Sequence, residues 1–196
     1  MTLRVTLLSP AMSAALREAR FDDGAPLDDA GARQARAAAG GLPRMSAALC
    51  APSPRCHGTA AALGLSPTPV PELRDLEVGD WRGRGLAELS AAEPEAVAAW
   101  LADPGAAPHG GESLLDLVGR VGSWLDGRTD GEGRLLAVVE PAVVRAAVVH
   151  ALGLPPQLFW RLDVPPLSLT ELTGRAGRWN LRCGRPLTPE PATPAP

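Results

Sequence analysis

Apolar and polar positions along this chain change period several times, and each change marks an element. Leu3 to Leu8 is a short, apolar, β-prone run that predicts a buried strand. An irregular stretch follows through Pro26. Asp28 or Asp29 then caps an Ala-rich helix to about Ala39, ended by Gly40 and Gly41. Ser46 to Cys50 reads as a second strand, and Pro52-Ser53-Pro54 leads into a helix over Arg55 to Leu63, closed by Gly64. Pro67 to Val70 is a short extended piece ahead of the polar segment Glu72 to Arg84. Two helices are predicted between Leu86 and Ala102, joined near Pro94, and Pro104 to Gly111 reads as a loop. Ser113 caps an amphipathic helix with Leu114, Leu117, Val118, Val121 and Leu125 on one face. Leu135 to Val139 is a strongly apolar strand, followed by a helix over Ala142 to Leu152 that Gly153 ends. Leu167 to Leu172 and Arg178 to Arg182 alternate as a terminal strand pair around Gly174-Arg175-Ala176-Gly177.

Strands alternating with helices predict an α/β sandwich with a mainly parallel sheet. We expect one domain over residues 1–187, with the helices of 86–111 as an insertion over one edge of the sheet. Residues 188–196, rich in Pro and Thr, are expected to be a disordered tail.

Composition narrows the function classes. A chain of 196 residues can bury a core without staples. A net charge of -3 with no basic block excludes a nucleic-acid footprint. Cys50, Cys56 and Cys183 form an odd set with no framework spacing, which predicts a reducing, cytoplasmic setting rather than a disulfide scaffold. The apolar stretch Val5 to Met12 is interrupted by Pro10 and lacks a convincing cleavage site, so no signal peptide is expected. No run approaches a membrane span, and no membrane partner is expected. The Ala- and Arg-rich composition with little Lys points to a high-GC bacterial source.

Five motifs in order carry a resemblance. They are Pro26-Leu27-Asp28-Asp29-Ala30-Gly31, Cys50 through Ala60, Leu73 through Gly83, Gly110-Gly111-Glu112-Ser113, and Val143-Val144-Arg145 with His150 through Leu154. Each is weak alone, but together they are similar to the histidine phosphatase superfamily over nearly the whole chain. The small α-ribazole-phosphatase and phosphoglycerate-mutase-like types are nearest by loop length. The resemblance implies a three-layer α/β/α fold with its pocket at the carboxyl ends of the strands.

The chemistry of that family needs an imidazole to attack phosphorus. It also needs two arginines and a second histidine to hold the phosphoryl oxygens, and an acid to protonate the leaving group. After the first strand the family carries R-H-G, and here the matching residues are Ser9-Pro10-Ala11. Pro10 has neither a nucleophilic side chain nor a backbone N–H. After the Leu135 to Val139 strand the family carries H-G-G-V, matched here by Glu140-Pro141-Ala142-Val143. A carboxylate about 4 Å from a phosphoryl anion repels it by roughly 4 kcal/mol at an effective dielectric near 20. Arg55 matches the retained clamp arginine, and Asp75 falls at the acid position, one methylene shorter than the usual Glu. Loss of a nucleophile alone costs on the order of 10⁶ in kcat where it has been measured. The resemblance therefore implies a degenerate member without phosphohistidine chemistry.

Three functions stay open on the sequence. The first is a pseudoenzyme that binds a small molecule or a protein partner, with Arg55, Ser9, Trp81 and Glu112 as candidate ligand-binding residues. The second is a repurposed enzyme on a non-phosphorylated, carboxylate-bearing metabolite, with Glu140 and Asp75 as acid and base. The third is a structural subunit beside an active homologue, and a homodimer is also left open. Arg55 and Glu140 would pair and fill the old phosphate site in the structural reading. Ser9 could act as a nucleophile only with a base such as Glu140 nearby. Cys56-His57 beside Cys50 lacks the spacing of a metal site, and no cofactor is expected. His109, in a Gly/Pro loop, is expected to be exposed, and His150 to pack within its helix. Trp81 and Trp160 are expected to be wall or core residues.

Overall fold

The computed structural model describes residues 3–128, 133–175 and 177–188. A six-stranded sheet has the order β3-β2-β4-β1-β5-β6, with β1 at Leu3–Leu8, β2 at Ala47–Cys50, β3 at Thr68–Pro69, β4 at Arg134–Val138, β5 at Ser168–Arg175 and β6 at Arg178–Pro186. The pairs β1·β4, β2·β4 and β2·β3 are parallel, while β5 runs antiparallel to β1 and β6 antiparallel to β5. The expected mainly parallel α/β fold is formed. The N-terminal apolar run is a central strand: Val5, Leu7 and Leu8 are buried between flanking strands, and both faces of the sheet are covered.

The helices follow from capping and from an apolar stripe. In α1 (Ala14–Arg17) and α2 (Asp29–Ala38), Ser13 and Asp28 accept from the backbone N–H groups of Leu16 and Gly31. In α3 (Pro54–Ala62) Ser53 caps and Pro54 takes the first helical position. Next come α4 (Leu86–Ala92), α5 (Pro94–Ala102), α6 (Leu114–Asp126) and α7 (Pro141–Leu152), the last closed by Gly153 in the left-handed conformation. Connections through α2 and α3 move the chain outward to β2 and β3, whereas those through α6 and α7 bring it back to β4 and across to β5. Right-handed crossovers put these two helix pairs on opposite faces. The connections from β1 and β4 therefore leave in opposite directions, and a crevice opens at the carboxyl ends of these strands.

Two expectations are corrected. The stretch before Pro26 is not irregular throughout, because Ser13 nucleates the single turn α1, too short for periodicity to reveal. The terminal hairpin is longer than the alternation suggested, since its ladder continues to Ser168 opposite Pro186 across an irregularity between Leu169 and Glu171. Of the expected insertion, α4 and α5 pack on each other and α5 packs on the 3₁₀ turn Pro156–Arg161, where Trp100 meets Trp160 at 4.3 Å between ring centroids. The Pro/Thr-rich tail from 189 onward and Ala176 of the hairpin turn lie outside the described residues.

Two loops that carry family motifs are held by close backbone contact. A Cβ on Gly79, whose φ is +46°, would stand 2.0 Å from the His109 carbonyl oxygen. Gly79→Ala is expected to cost more than about 1 kcal/mol, because both the conformation and the space are wrong. Gly119→Ala, on the exposed side of α6 with open space around it, is expected to gain up to about 1 kcal/mol. Urea denaturation of both variants checks this, and equal midpoints would disprove the contact argument.

Candidate functional site

The carboxyl ends of β1, β2 and β4 lead into Ser9-Pro10, Pro52 to Arg55, and Glu140. Arg55 is the second residue of α3, and Glu140 stands at the N-cap position of α7. Glu140 makes no capping bond to its own helix; its carboxylate reaches across to α3 instead. Arg55 Nη2 donates to Glu140 Oε2, Arg55 Nε donates to Oε1 at 3.3 Å, and Ser53 Oγ donates to the same Oε1 at 2.7 Å. Arg55 Nη1 donates to Ser13 Oγ at 3.3 Å, and the Cys56 thiol lies 3.4 Å from Glu140 Oε1. The pair is removed from water, with Arg55 7% exposed and Glu140 1%. Desolvation alone would lower the guanidinium pKa, but the hydrogen bond and charge of Glu140 outweigh it and hold the pKa above its ordinary value. The N-termini of α3 and α7 converge on this carboxylate, so the positive ends of two helices face an anion that the chain itself supplies.

Beside the pair a cavity of about 300 Å³ remains, lined by side chains of both signs and by aromatic rings. Phe21, Trp100, Phe159 and Trp160 form its apolar part. Asp22, Asp75 and Glu77 are its acids; Arg74, Arg82 and Arg145 are its bases. Desolvation, then the Glu140 charge, pushes the Asp75 carboxyl up to about 8, with Arg55 and the Leu76 N–H opposing. The same two causes, in the same order, raise Asp22. Burial pushes the Arg145 guanidinium below its ordinary value, opposed by Asp163 and Asp75. Burial followed by the Glu140 charge raises the Cys50 thiol to about 12 and raises Cys56 too, which leaves both as inert core thiols.

The residues singled out from the sequence are thus only partly gathered. Arg55 and Glu140 meet, and Asp75 faces the cavity beside them. Ser9 does not meet Glu140: it is fully buried, its hydroxyl donates to the Pro165 carbonyl, and it accepts from the Ser168 N–H at 3.1 Å. Its oxygen is drawn to the start of β5, where it shares the Pro165 carbonyl with the Ser168 hydroxyl and satisfies the buried Ser168 N–H. Pro10 is buried and is absent from the cavity wall. Trp81 is buried behind the cavity, donating from Nε1 to Glu93 at 3.1 Å. Glu112 is likewise outside, held by both Arg120 Nε and Nη2 at 2.8 and 2.6 Å and by Arg74 at 3.4 Å.

His109 is not exposed as its loop composition suggested. It is 1% exposed and packs edge-on against Trp81 at 5.2 Å, with Nδ1 accepting from the Gly111 N–H. The loop turns inward at Gly110, φ +73°, and the ring completes the tryptophan cluster, with Nε2 buried and without a hydrogen-bond partner among the described residues. His57 is exposed, and His150 Nε2 bonds to Asp126 at 2.8 Å. None of the chain's three histidines lines the cavity.

Sequence reasoning missed Asp22, Trp100 and Arg145 as wall residues. Arg145 was visible only as part of a fold motif. Its i, i+3 spacing from Ala142, just after the Glu140-Pro141 start of α7, is the signal that puts both on the cavity face.

Comparison with known proteins agrees with this architecture. The sequence pattern of the histidine phosphatase superfamily (branch 1) matches residues 14–184. The chain belongs to that superfamily. A glucosyl-3-phosphoglycerate phosphatase of Mycolicibacterium vanbaalenii is 39% identical over 144 residues, covering 66% of this chain and 64% of that protein. A bifunctional protein of Mycobacterium tuberculosis is 33% identical over 156 residues, 74% of this chain and 43% of that one. The chain thus spans less than two thirds of these relatives. Among solved structures, a mycobacterial glucosyl-3-phosphoglycerate phosphatase in complex with VO₃ superposes with a TM-score of 0.81 at 26% identity, covering 93% of this chain and 98% of that chain. The α-ribazole phosphatase of Shigella flexneri, at 22% identity and a TM-score of 0.80 over 97% of this chain and all of that one, shares the fold. The superfamily match begins at Ala14, so β1 and Ser9 to Ala11 lie before it.

Two outcomes follow from the site. Glu140→Ala leaves a buried guanidinium unpaired and is expected to lose about 3–5 kcal/mol. The double change Arg55→Met with Glu140→Leu is expected to lie nearer the wild type than either single change, as chemical denaturation would show.

Asp75 gives a pH signature. Its carboxyl ionises near pH 8 when folded and near 3.8 when unfolded, so between these values the folded state holds the extra proton. Its contribution to stability is complete below about pH 3.8 and falls as pH rises through 8. Melting temperature should therefore fall more steeply with pH over that window in the wild type than in Asp75→Asn. Parallel curves would show that Asp75 is ionised at neutral pH.

Proposed function

We propose that this member of the superfamily binds a small molecule in the cavity and does not form a phosphohistidine. The observation that carries the reading is the Glu140 carboxylate, bonded to Arg55 at the point where two helix N-termini converge. An arginine that would grip a phosphoryl group is engaged by an internal anion, and an incoming dianion would meet a carboxylate. Pro10 stands after β1 and offers no nucleophile. The names of the relatives point to hydrolysis of a phosphorylated sugar acid. For this chain that chemistry would need an attacking group where Pro10 and Glu140 stand. Arg55 and Glu140 fill their own place with side chains, as a purely structural subunit would, and it is the open cavity beside them that favours a ligand.

A second reading, acid–base catalysis on a non-phosphorylated metabolite, is favoured by the Asp75 carboxyl near pH 8, poised to exchange a proton around neutrality. It places the work on Asp75 rather than Glu140, both of whose oxygens are engaged.

The deciding assay is phosphate release from p-nitrophenyl phosphate and from glucosyl-3-phosphoglycerate. No release above a protein-free blank is expected between pH 5 and 9. Release that scales with protein and collapses in Arg55→Gln, with folding checked by circular dichroism, would return the chain to the working phosphatases.

A further inference from the structure

Arg55 is spent on Glu140, yet the cavity still holds cations, and they are not equivalent. Arg74 is drawn toward Glu112 at 3.4 Å, and Arg82 is exposed at the rim. Arg145 is half-buried on α7 and uses only Nε, donating to the Leu162 carbonyl at 2.7 Å. That bond and the Phe159 ring, 5.7 Å from the guanidinium carbon, fix the plane of the group. Among the described residues no carboxylate forms an ion pair with it and neither Nη has an acceptor, Asp163 acting on it through its charge alone. A half-buried guanidinium with its fork unused is an anion receptor in search of an acceptor.

The surroundings decide which anion. Asp22 and Glu77 share the wall, so a dianion would be repelled by more than one neighbour. A single planar carboxylate matches the fork and brings the least charge. Asp75, which keeps its proton at neutral pH, adds an O–H donor on the same cavity. Phe21, Trp100 and Trp160 offer ring faces and edges to the remainder of the ligand.

We propose that the cavity receives a flat, largely apolar molecule bearing one carboxylate, gripped by Arg145 and packed among Phe21, Trp100 and Trp160. This rests on the reading that the cavity binds rather than hydrolyses, and it moves the anion-holding role from Arg55 in α3 to Arg145 in α7. The aromatic wall supplies apolar contact, and Arg145 discriminates carboxylate from neutral analogues.

The test titrates the intact protein with 2-naphthoate, 2-naphthamide and 2-naphthyl phosphate by calorimetry, with melting temperature alongside. 2-Naphthoate should bind about tenfold or more tightly than the amide and raise the melting temperature, as expected for a charge-assisted contact. Arg145→Gln should weaken 2-naphthoate by a similar factor and leave the amide unchanged. Equal affinity for acid and amide in the wild-type protein, no binding of 2-naphthoate, or unchanged binding in a folded Arg145→Gln would each overturn the proposal. The acid–amide comparison needs no variant, so it decides even if Arg145→Gln does not fold. The phosphate ester separates the two layers of argument. Its hydrolysis would sink the non-catalytic reading itself, whereas failure of 2-naphthoate to bind would sink only the carboxylate assignment.

Discussion

The buried pair of Arg55 and Glu140 organises the crevice around it. It ties the first turn of α3 to the first turn of α7, so the ends of β2 and β4 are joined through side chains as well as through the sheet. Ser53 and Ser13 complete the hydrogen bonding, and this satisfaction is what makes an ion pair tolerable with so little water. A pair of this kind adds little net stability compared with apolar residues of the same shape. Its effect is on position and on charge. It holds two helix starts in one register, and its fixed negative charge adds to burial, the larger cause, in raising Asp75, Asp22 and both nearby thiols.

The consequence for chemistry is that the site's electrostatics are inverted relative to a receptor for phosphate. Two helix N-termini and an arginine make a place for an anion, and the chain fills that place with its own carboxylate. What remains open lies next to it and is built differently, from aromatic rings, carboxyl groups and guanidinium groups.

Much of this was legible in the sequence, for reasons that differ by element. The strand Leu3 to Leu8 and the stripe on α6 are periodic patterns, and periodicity reports burial directly. The meeting of Glu140 with Arg55 was legible by position along the chain. The direction of Ser9, the burial of His109 and the cavity role of Arg145 were not legible. Each depends on a partner distant in sequence: the Pro165 carbonyl for Ser9, Trp81 for His109, and the Leu162 carbonyl for Arg145. Local composition is silent about such partners, which is why a Gly/Pro loop read as solvent-facing holds a buried ring.

The fold motifs and the residue at position 140 are under different constraints, set by what each touches. Gly79 and Gly111 permit backbones to meet where a Cβ would stand 2.0 Å from a carbonyl oxygen, and Gly31 does the same against Met12. No side chain of any kind fits there, so these positions have one solution for as long as the fold is kept. The residue at position 140 is under a looser constraint. It must end β4 and cap α7 from the β region, which many side chains can do, provided the polar groups facing it are satisfied. Arg55 supplies that requirement for a carboxylate as well as it would for a bound anion. An internal ion pair at this position therefore costs the fold little. That asymmetry separates the residues that hold the architecture of the superfamily from those that set the chemistry at the carboxyl end of its sheet.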